Sequence, residues 1–399
     1  MNILYYCDEY PLARNGGIGT VVKLVAEAMA QRGHRVYVAG KYWEEGENKT
    51  IEIINGVTVI RWHKGSYNTL GIRCCDFGHS VRNRQKKAHR IFCRTHQLIE
   101  RTIAKYHIDV VEVPDYIDDF MHYENLGVER LRFSIPMIIR VHGSVSFLCY
   151  YLNKKSTFEN KIKQDREHFS RADAICAVSE FSKQFVNDII CPNRSVDVIY
   201  NPISADLFAP SKSIEAEDQT ILFFGKIAEM KGVYSLVKAF NMVAKDRTQV
   251  RLKLIGNGKV EAARKLVERQ FSDRVVFAGF LPHESIIEEI DKASFCVLPS
   301  YFENFSMAAL EVLARKKALI YTNRASGPEL IEDGCNGFLV DPDNVEQLAE
   351  KMSLLLDDAE LCYRMACNGY EMCRHKFSTE VIVPQMEQYY QEVIQKCRE

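Results

Sequence analysis

The clearest structural signal in the chain is the stretch SFCVLPSYFENFSMAALEVLARKKALIYTNRASGPELIEDGCNGFLVDP, residues 294–342. Residues 295–298 form a short apolar run typical of a strand, and Pro299 and Ser300 interrupt it. Apolar residues then recur at helical spacing from Phe305, and a second apolar run, ALIYT, follows at residues 318–322. The stretch therefore predicts a strand, a loop, a helix and another strand, which is the repeating unit of a parallel sheet.

Two acidic residues lie around the start of this predicted helix. Glu303 falls in the loop before the helix, and Glu311 falls within it, at most about 12 Å further on at 1.5 Å rise per residue. Between them, the first-turn amides near Phe305, Ser306 and Met307 lack intrahelical partners and favour a phosphate. The layout suits a ligand with hydroxyls at both ends and phosphate in the middle, such as a nucleotide-sugar. The spacing alone also fits an acid near a helix start and an unrelated surface glutamate.

Length and composition restrict the class of protein. A chain of 399 residues with 47% hydrophobic residues predicts two or three globular domains. The net charge of −1 provides no overall attraction for nucleic acid, so we expect none as a partner. Thirteen cysteines without a secretory signal at the amino terminus indicate a reducing compartment, and their spacing does not predict a zinc site. We therefore expect a cytoplasmic protein that is soluble or peripheral to a membrane, since no apolar run is long enough to span one.

Strand patterns alternate with helical patterns along the rest of the chain. They predict strands at residues 3–6, 36–39, 57–61, 109–113, 137–141, 174–178 and 196–200, and therefore a parallel sheet covered on both faces. The pattern restarts after Pro202 with a polar segment and a strand at residues 220–224. The sequence therefore predicts an N-terminal domain at residues 1–203 and a C-terminal domain at residues 204–377, both of the α/β class.

Several candidate ligand-binding residues follow predicted strands, where parallel sheets bind their ligands. Gly16 and Gly17 lie between a strand and a helix and would let backbone amides approach an anion, although such a pair is also common in turns. His142 directly follows the strand at residues 137–141, where a lone histidine is more often structural, and Asp115 follows another strand. In the C-terminal domain, a loop that starts at Gly225 carries the cations Lys226 and Lys231, which suit phosphate but are also typical of a solvated surface.

The sequence PSYFENFSMAALEVLA, followed by ALIYT and SGPELIEDGCNGFLV, resembles the donor-binding signature of retaining glycosyltransferases of family four. The resemblance extends over nearly the whole chain. It implies two Rossmann-like domains facing across a cleft, the B-type glycosyltransferase fold, with a C-terminal helix at residues 378–399 that packs back on the first domain. In the family, the acid at Glu303 holds the hydroxyls of the donor sugar, and the acid at Glu311 holds the ribose. The family usually has glycine where this chain has Asn304 and Ser306.

The resemblance also implies roles for other residues. Lys226 and Lys231 match an arginine and a lysine that bind the diphosphate, so Lys226 lacks the bidentate fork of arginine. His142 matches a histidine that contacts the donor sugar, and VFAGFL matches a loop against the nucleotide base. The implied catalytic residues are Glu303, His142, Lys231 and Lys226. The implied donor-binding residues are Gly16, Gly17, Gly225, Asn304, Phe305, Ser306, Met307, Glu311 and Gly279.

The activity that the resemblance implies is transfer of a sugar from a nucleoside-diphosphate sugar to an acceptor hydroxyl with retained configuration. UDP is favoured as the commoner donor of the family, and neither a cofactor nor a metal is expected. A glycosidase-type retaining mechanism would need two carboxyl groups about 5–5.5 Å apart, and the sequence indicates no such pair. The family's mechanism is attack on the same face of the sugar. The alternatives are a sugar-nucleotide epimerase or phosphorylase of the same fold, and a non-catalytic carbohydrate-binding subunit.

A row of basic residues is the only sequence signal for the acceptor, for which we expect a sugar or a lipid-linked molecule. Arg82, Lys86, Arg90 and Arg94 are four residues apart and would share one face of a helix. Like charges at this spacing cost about 0.2–0.5 kcal/mol per pair in an isolated helix. The row therefore suggests an anionic membrane surface at the inner face of the membrane, in polysaccharide or glycolipid assembly, whereas a solvated helix face is the alternative.

Overall fold

The computed structural model describes residues 1–11, 16–42, 49–63, 81–116, 132–151, 155–209 and 219–399. No helix within these ranges combines the length and the apolar character needed to span a bilayer. The chain divides into an N-terminal domain, Met1–Pro202 with Ile382–Glu399, and a C-terminal domain, Ile203–Val381.

The N-terminal domain is built on an eight-stranded sheet with the order β3-β4-β2-β1-β5-β6-β7-β8. Its strands are β1 Asn2–Tyr6, β2 Arg35–Tyr42, β3 Lys49–Ile54, β4 Val57–His63, β5 Val110–Pro114, β6 Met137–Val141, β7 Ala174–Ala177 and β8 Asp197–Val198. Its helices in chain order are α1 Gly17–Gln31, α2 Val81–Tyr106, α3 Val145–Tyr151, α4 Lys155–Phe169 and α5 Glu180–Phe185, which a π-helical turn at Val186–Ile190 extends.

One edge strand of this domain, β3, departs from the parallel arrangement that the sequence predicts. β3 pairs with β4 in the antiparallel direction, whereas the other described pairs of the sheet are parallel. The two strands are joined by Asn55 and Gly56, whose φ angles of +48° and +82° are both left-handed. An Asn-Gly pair adopts this turn readily because both residues tolerate positive φ. The hairpin therefore follows from local turn chemistry, which overrides the alternation of strands and helices.

The C-terminal domain contains a six-stranded parallel sheet with the order β11-β10-β9-β12-β13-β14. Its strands are β9 Thr220–Phe224, β10 Arg251–Ile255, β11 Val275–Gly279, β12 Phe295–Leu298, β13 Ala318–Thr322 and β14 Phe338–Val340. Its helices are α6 Val233–Val243, α7 Val260–Arg264, α8 His283–Lys292, α9 Met307–Ala314, α10 Gly327–Leu330, α11 Val345–Asp357 and α12 Ala359–Phe377. Every residue of β9, β12 and β13 is buried, as expected for strands covered on both faces.

The last helix, α13 Thr379–Arg398, joins the core of the N-terminal domain from Ile382 onward. The Tyr390 hydroxyl donates a hydrogen bond to Oε2 of Glu112 on β5 at 2.5 Å. The Tyr390 ring also lies against the ring of Tyr5 on β1, with 6.4 Å between the ring centroids. The packing places the Glu112 carboxyl group and two phenol rings in one buried cluster on the neighbouring strands β1 and β5.

Candidate active site

The strand order of the C-terminal sheet reverses between β9 and β12, which are neighbours in the sheet. At such a point the two following loops leave the carboxyl edge in opposite directions and leave a crevice between them, where α/β sheets bind ligands. Here the loops nevertheless contact each other, because the Tyr301 amide donates to the Met230 carbonyl at 2.9 Å. A Cβ atom on Gly232, whose φ is +69°, would lie 1.8 Å from the Pro299 carbonyl oxygen. Only glycine permits this approach.

The structure brings Lys231 and Glu303, two predicted site residues, into direct contact at this crevice. The Lys231 ammonium donates to Oε1 of Glu303 at 2.5 Å, and the Ser300 hydroxyl donates to the same oxygen at 3.0 Å. Both charged side chains are partly accessible, at 31% for lysine and 19% for glutamate. Among the residues that the structure describes, Oε2 of Glu303 has no hydrogen-bond partner. One carboxylate oxygen therefore stays available for a ligand hydroxyl.

The backbone of Glu303 is held by Ser326, which follows β13. The Ser326 hydroxyl donates to the Glu303 carbonyl at 3.1 Å, and the Ser326 amide donates to it at 3.4 Å. Ser326 is fully buried and directly precedes α10. The loop that carries the first acid is therefore attached to β12, to the β9 loop and to the start of α10.

The helix predicted to begin near Phe305 begins at Met307, because Ser306 is its N-cap. The Ser306 hydroxyl accepts a hydrogen bond from the Ala309 amide at 3.2 Å, while the amides of Met307 and Ala308 have no acceptor within the helix. The Phe305 ring is buried against Phe377, with 5.4 Å between the ring centroids. Phe305 can therefore contact a ligand only through its backbone.

The second acid, Glu311, has a partner that the sequence analysis did not identify. Its carboxylate is nearly buried, and its Oε1 atom lies 2.9 Å from Nε2 of His283, the first residue of α8. Because a carboxylate only accepts, Nε2 carries the hydrogen. Oε2 of Glu311 has no hydrogen-bond partner in the described part of the chain. The sequence signal that could have identified His283 is its position, because it follows the loop after β11 at the carboxyl edge of the C-terminal sheet.

Three further predicted residues lie at ends of strands in this domain. Gly225 and Gly279 have φ angles of +134° and +72°, which favour glycine. Lys226 is exposed and forms no ion pair with any residue that the structure describes. Its ammonium is thus available to an anion, and the neighbouring Gly225 gives the backbone there a positive φ.

In the N-terminal domain, His142 and Gly143 follow β6 and are held by Asp115. The two oxygens of the fully buried Asp115 carboxyl accept from the His142 and Gly143 amides at 2.9 Å each. Burial raises the pKa of Asp115 to about 7. Burial and the nearby charge of Arg140 lower the pKa of His142 to about 3, so its ring is neutral at pH 7. The structure therefore assigns Asp115 to holding the turn and leaves His142 as a neutral hydrogen-bonding group.

An acid lies beside the start of α1. Burial raises the pKa of the Glu9 carboxylate, and the nearby backbone amides of Gly19 and Gly16 oppose that shift. A Cβ atom on Gly16 would lie 2.2 Å from the Glu9 carboxylate, whereas one on Gly17 would meet no described atom within 4 Å. Glu9 therefore lies beside Gly16, where the sequence predicts an anion, whereas the space at Gly17 remains open.

The helix predicted for the basic row is present as α2. The side chains of Arg82, Lys86 and Arg90 lie outside the described residues, and Arg94 is exposed. At the end of β7, Ser179 is the N-cap of α5, because its hydroxyl accepts from the Ser182 amide at 3.1 Å.

Comparison with known proteins identifies the family. The model of Glycosyltransferase Family 4 matches residues 15–207, and the model of Glycosyl transferases group 1 matches residues 206–372. An uncharacterized glycosyltransferase of Methanocaldococcus jannaschii is 30% identical over 267 residues, which are 66% of this chain and 70% of that protein. The N-acetyl-alpha-D-glucosaminyl L-malate synthase of Bacillus anthracis is 22% identical over 95% of this chain and 94% of its own length.

Solved structures show the same fold. Sucrose-phosphate synthase from Thermosynechococcus elongatus superposes with a TM-score of 0.79 at 20% identity, covering 99% of this chain and 100% of that one. HepE of Anabaena, solved in complex with UDP, superposes with a TM-score of 0.71 at 16% identity, covering 98% of this chain and 100% of that one. The chain therefore belongs to family 4 of the glycosyltransferases, the group 1 glycosyl transferases, and its two Rossmann-like domains form the B-type glycosyltransferase fold.

Proposed function

We propose that this glycosyltransferase moves a sugar from a nucleoside-diphosphate sugar, with UDP favoured, to an acceptor hydroxyl with retention of configuration. One observation carries the proposal. Glu303 and Glu311, on either side of the start of α9, each have one carboxylate oxygen held by a neighbouring side chain and the other without a partner among the described residues. Two oriented acceptors around a helix N-terminus suit hydroxyl groups on both sides of a diphosphate.

Each group then has a defined task. Oε2 of Glu303 accepts a hydrogen bond from a hydroxyl of the donor sugar, and Oε2 of Glu311 accepts one from a ribose hydroxyl. Lys231 has three N–H donors, so it can keep its bond to Glu303 while another donor meets a phosphate oxygen. Lys226 and the first-turn amides of α9 add positive charge around the leaving diphosphate, the type of electrostatic stabilisation that accelerates group transfer.

The comparisons support the choice of donor. One structural neighbour, Anabaena HepE, was solved with UDP, with UDP-glucose, and with UDP and glucose. For retention, we propose attack on the face that the diphosphate leaves, with the leaving phosphate oxygen taking the acceptor proton. His142 then acts as a neutral hydrogen-bonding group on the donor sugar, because its pKa is lowered to about 3. The positive charge in this scheme comes from the chain's own groups, and we propose that no metal or cofactor is needed.

For the acceptor, we propose a sugar or a lipid-linked molecule at an anionic membrane surface, in polysaccharide or glycolipid assembly. The basis is the spacing of the basic row on α2, which the structure supports as one helix. Binding to anionic vesicles should fall steeply between low and physiological salt. It should disappear when Lys86 and Arg90 are both replaced by glutamate. Binding that the double variant retains would assign the row to a solvated helix face.

The proposed activity is tested with the two acids. UDP-, GDP- and ADP-sugars are screened by thermal shift, since a ligand at about 100 times its dissociation constant stabilises by about 2.7 kcal/mol. Glu303→Gln should lower kcat by about 10- to 100-fold with little change in donor affinity, because it loses a charged hydrogen bond to the sugar. Glu311→Gln should chiefly weaken nucleotide binding by a similar factor.

A matched control is Glu371→Gln, which alters an exposed carboxylate of α12 in the same domain. It should leave both quantities unchanged. Small and equal effects of the two site variants would contradict the assignment. Nucleotide release that does not depend on an acceptor would favour an epimerase or phosphorylase, and donor binding without turnover would favour a carbohydrate-binding subunit.

A further inference from the structure

We propose that His283 is a positioning residue for nucleotide recognition, which holds one oxygen of Glu311 so that the other meets a ribose hydroxyl. The inference rests on the proposed function and names the residue that sets ribose recognition. Its basis is the 2.9 Å contact between Nε2 of His283 and Oε1 of Glu311. The glutamate side chain is 10% exposed and the histidine side chain is 54% exposed, so the contact lies at the boundary between the core and the solvent.

The two helices that carry this pair are joined by a second, buried pair. Arg315 at the end of α9 donates through Nε to Oδ1 of Asp291 on α8 at 2.9 Å, and through Nη2 to Oδ2 at 2.7 Å. The two side chains are only 8% and 6% exposed. Arg315 also donates to the carbonyls of Leu207 and Ala209 at 2.8 Å each. This bidentate pair limits sliding between α8 and α9, so the distance from His283 to Glu311 is set by rigid elements.

The hydrogen bond restricts what the carboxylate can do. A carboxylate can accept on both oxygens and can rotate about its terminal bond, which has a broad rotational preference. With Oε1 held by His283, only Oε2 remains without a partner in the described part of the chain, and its direction is fixed. The carboxylate is therefore already oriented when a ribose hydroxyl donates to Oε2, and binding needs no further ordering of this group. Without His283, the carboxylate loses this orientation and its preference for a ligand that carries the hydroxyl.

The experiment compares two ligands that differ only in the ribose hydroxyls. Dissociation constants of UDP and 2′,3′-dideoxy-UDP are measured for the wild-type protein and for His283→Ala and His283→Gln. GDP or ADP and its dideoxy form replace them if that nucleotide is the one that binds. The wild-type protein should prefer UDP by about tenfold or more, because the deoxy ligand leaves a buried acceptor unpaired. In His283→Ala, the preference should fall to about twofold or less.

Two further variants separate positioning from other roles. His283→Gln should recover most of the preference, since the glutamine amide can place an N–H donor close to the position of Nε2. His375→Ala is the matched control, because His375 forms an exposed pair with Glu371 on α12, at 3.4 Å in the same domain. It should leave the preference at the wild-type value.

Each outcome is decisive. Full preference for UDP in His283→Ala, or equal weakening of both ligands with the ratio unchanged, overturns the positioning role and leaves the proposed function intact. A wild-type protein that binds UDP and dideoxy-UDP equally overturns the ribose role of Glu311 and this inference with it. A wild-type protein that binds none of UDP, GDP and ADP overturns the proposed function itself.

Discussion

At the scale of single residues, Lys226 and Lys231 have different surroundings although they share one loop. Lys231 is bound to Glu303, whereas Lys226 is exposed and forms no ion pair with a described residue. Lysine is a point charge, and arginine adds a planar fork that matches two phosphate oxygens. A replacement of lysine by arginine at position 226 should therefore alter the contact with the ligand and leave the described ion pairs of the protein unchanged.

We expect Lys226→Arg to tighten donor binding by about twofold to tenfold, because it adds a second hydrogen bond to the diphosphate. Lys231→Ala should lower turnover by about 100-fold or more, since it removes a charge from the diphosphate and a partner from Glu303. Donor dissociation constants and kcat test both. Lys265→Arg, on an exposed residue of the same domain, is the control and should change neither. An inactive Lys226→Arg protein with intact stability would show that Lys226 has a role other than binding phosphate.

At the scale of elements, the start of α9 depends on Ser306, where the family has glycine. Glycine and serine both serve as N-caps, whereas alanine does not. Ser306→Ala should therefore cost about 1 kcal/mol of local stability, and Ser306→Gly only a few tenths. Because a chain of two domains need not unfold in one step, hydrogen exchange at the α9 amides is the suitable measurement.

The control for this prediction is the cap of α11, where the Asn344 side chain accepts from the Gln347 amide at 2.9 Å. Asn344→Ala should weaken α11 by a similar amount and leave donor affinity unchanged. Ser306→Ala should weaken α9 and also donor binding, because the capped turn presents amides to the diphosphate. If glycine at position 306 costs more than alanine, the N-cap account of this helix is wrong.

Elements also show how far sequence reasoning extends. The bounds of β6, β9, β12 and β13 agree with the sequence prediction because each is a short, predominantly apolar run with a clear boundary. The edge strand β3 was missed, although Asn55 and Gly56 are typical of a hairpin. Its apolar residues Ile51 and Ile53 are exposed, so it adds little to the core.

The candidate site also contains residues that the sequence predicts and contacts that it does not predict. The residues in the loops after β9 and β12 were predictable, since loops at the carboxyl edge bind ligands. The contact between His283 and Glu311 was not, because 28 positions separate them and only the packing of α8 on α9 brings them together. Glu9 was missed for a similar reason, since only the folded chain brings its carboxylate close to Gly16.

At the scale of the whole molecule, the chain passes from the C-terminal domain back to the N-terminal domain through α13. A buried polar contact of this helix is the hydrogen bond from Tyr390 to Glu112. Burial raises the pKa of Glu112, and the nearby charge of Arg140 opposes that shift. The neighbouring Tyr389 hydroxyl is also buried, but it has no hydrogen-bond partner among the described residues.

The two tyrosines form a matched pair of mutations. Tyr390→Phe should cost about 1–3 kcal/mol of unfolding free energy in the N-terminal domain, because it leaves a buried carboxyl without its donor. Tyr389→Phe should cost much less, since it removes a hydroxyl that has no hydrogen-bond partner among the described residues.

The cost of Tyr390→Phe should also depend on pH. A raised pKa means that the folded protein binds the Glu112 proton more tightly, so this group's stabilising contribution is lost as pH rises through that pKa. The Tyr390 hydroxyl favours the charged form, so Tyr390→Phe should be more destabilising at pH 8 than at pH 5. Thermal unfolding of both variants at the two pH values tests this, and equal costs for the two tyrosines would contradict the role of the hydrogen bond in holding α13.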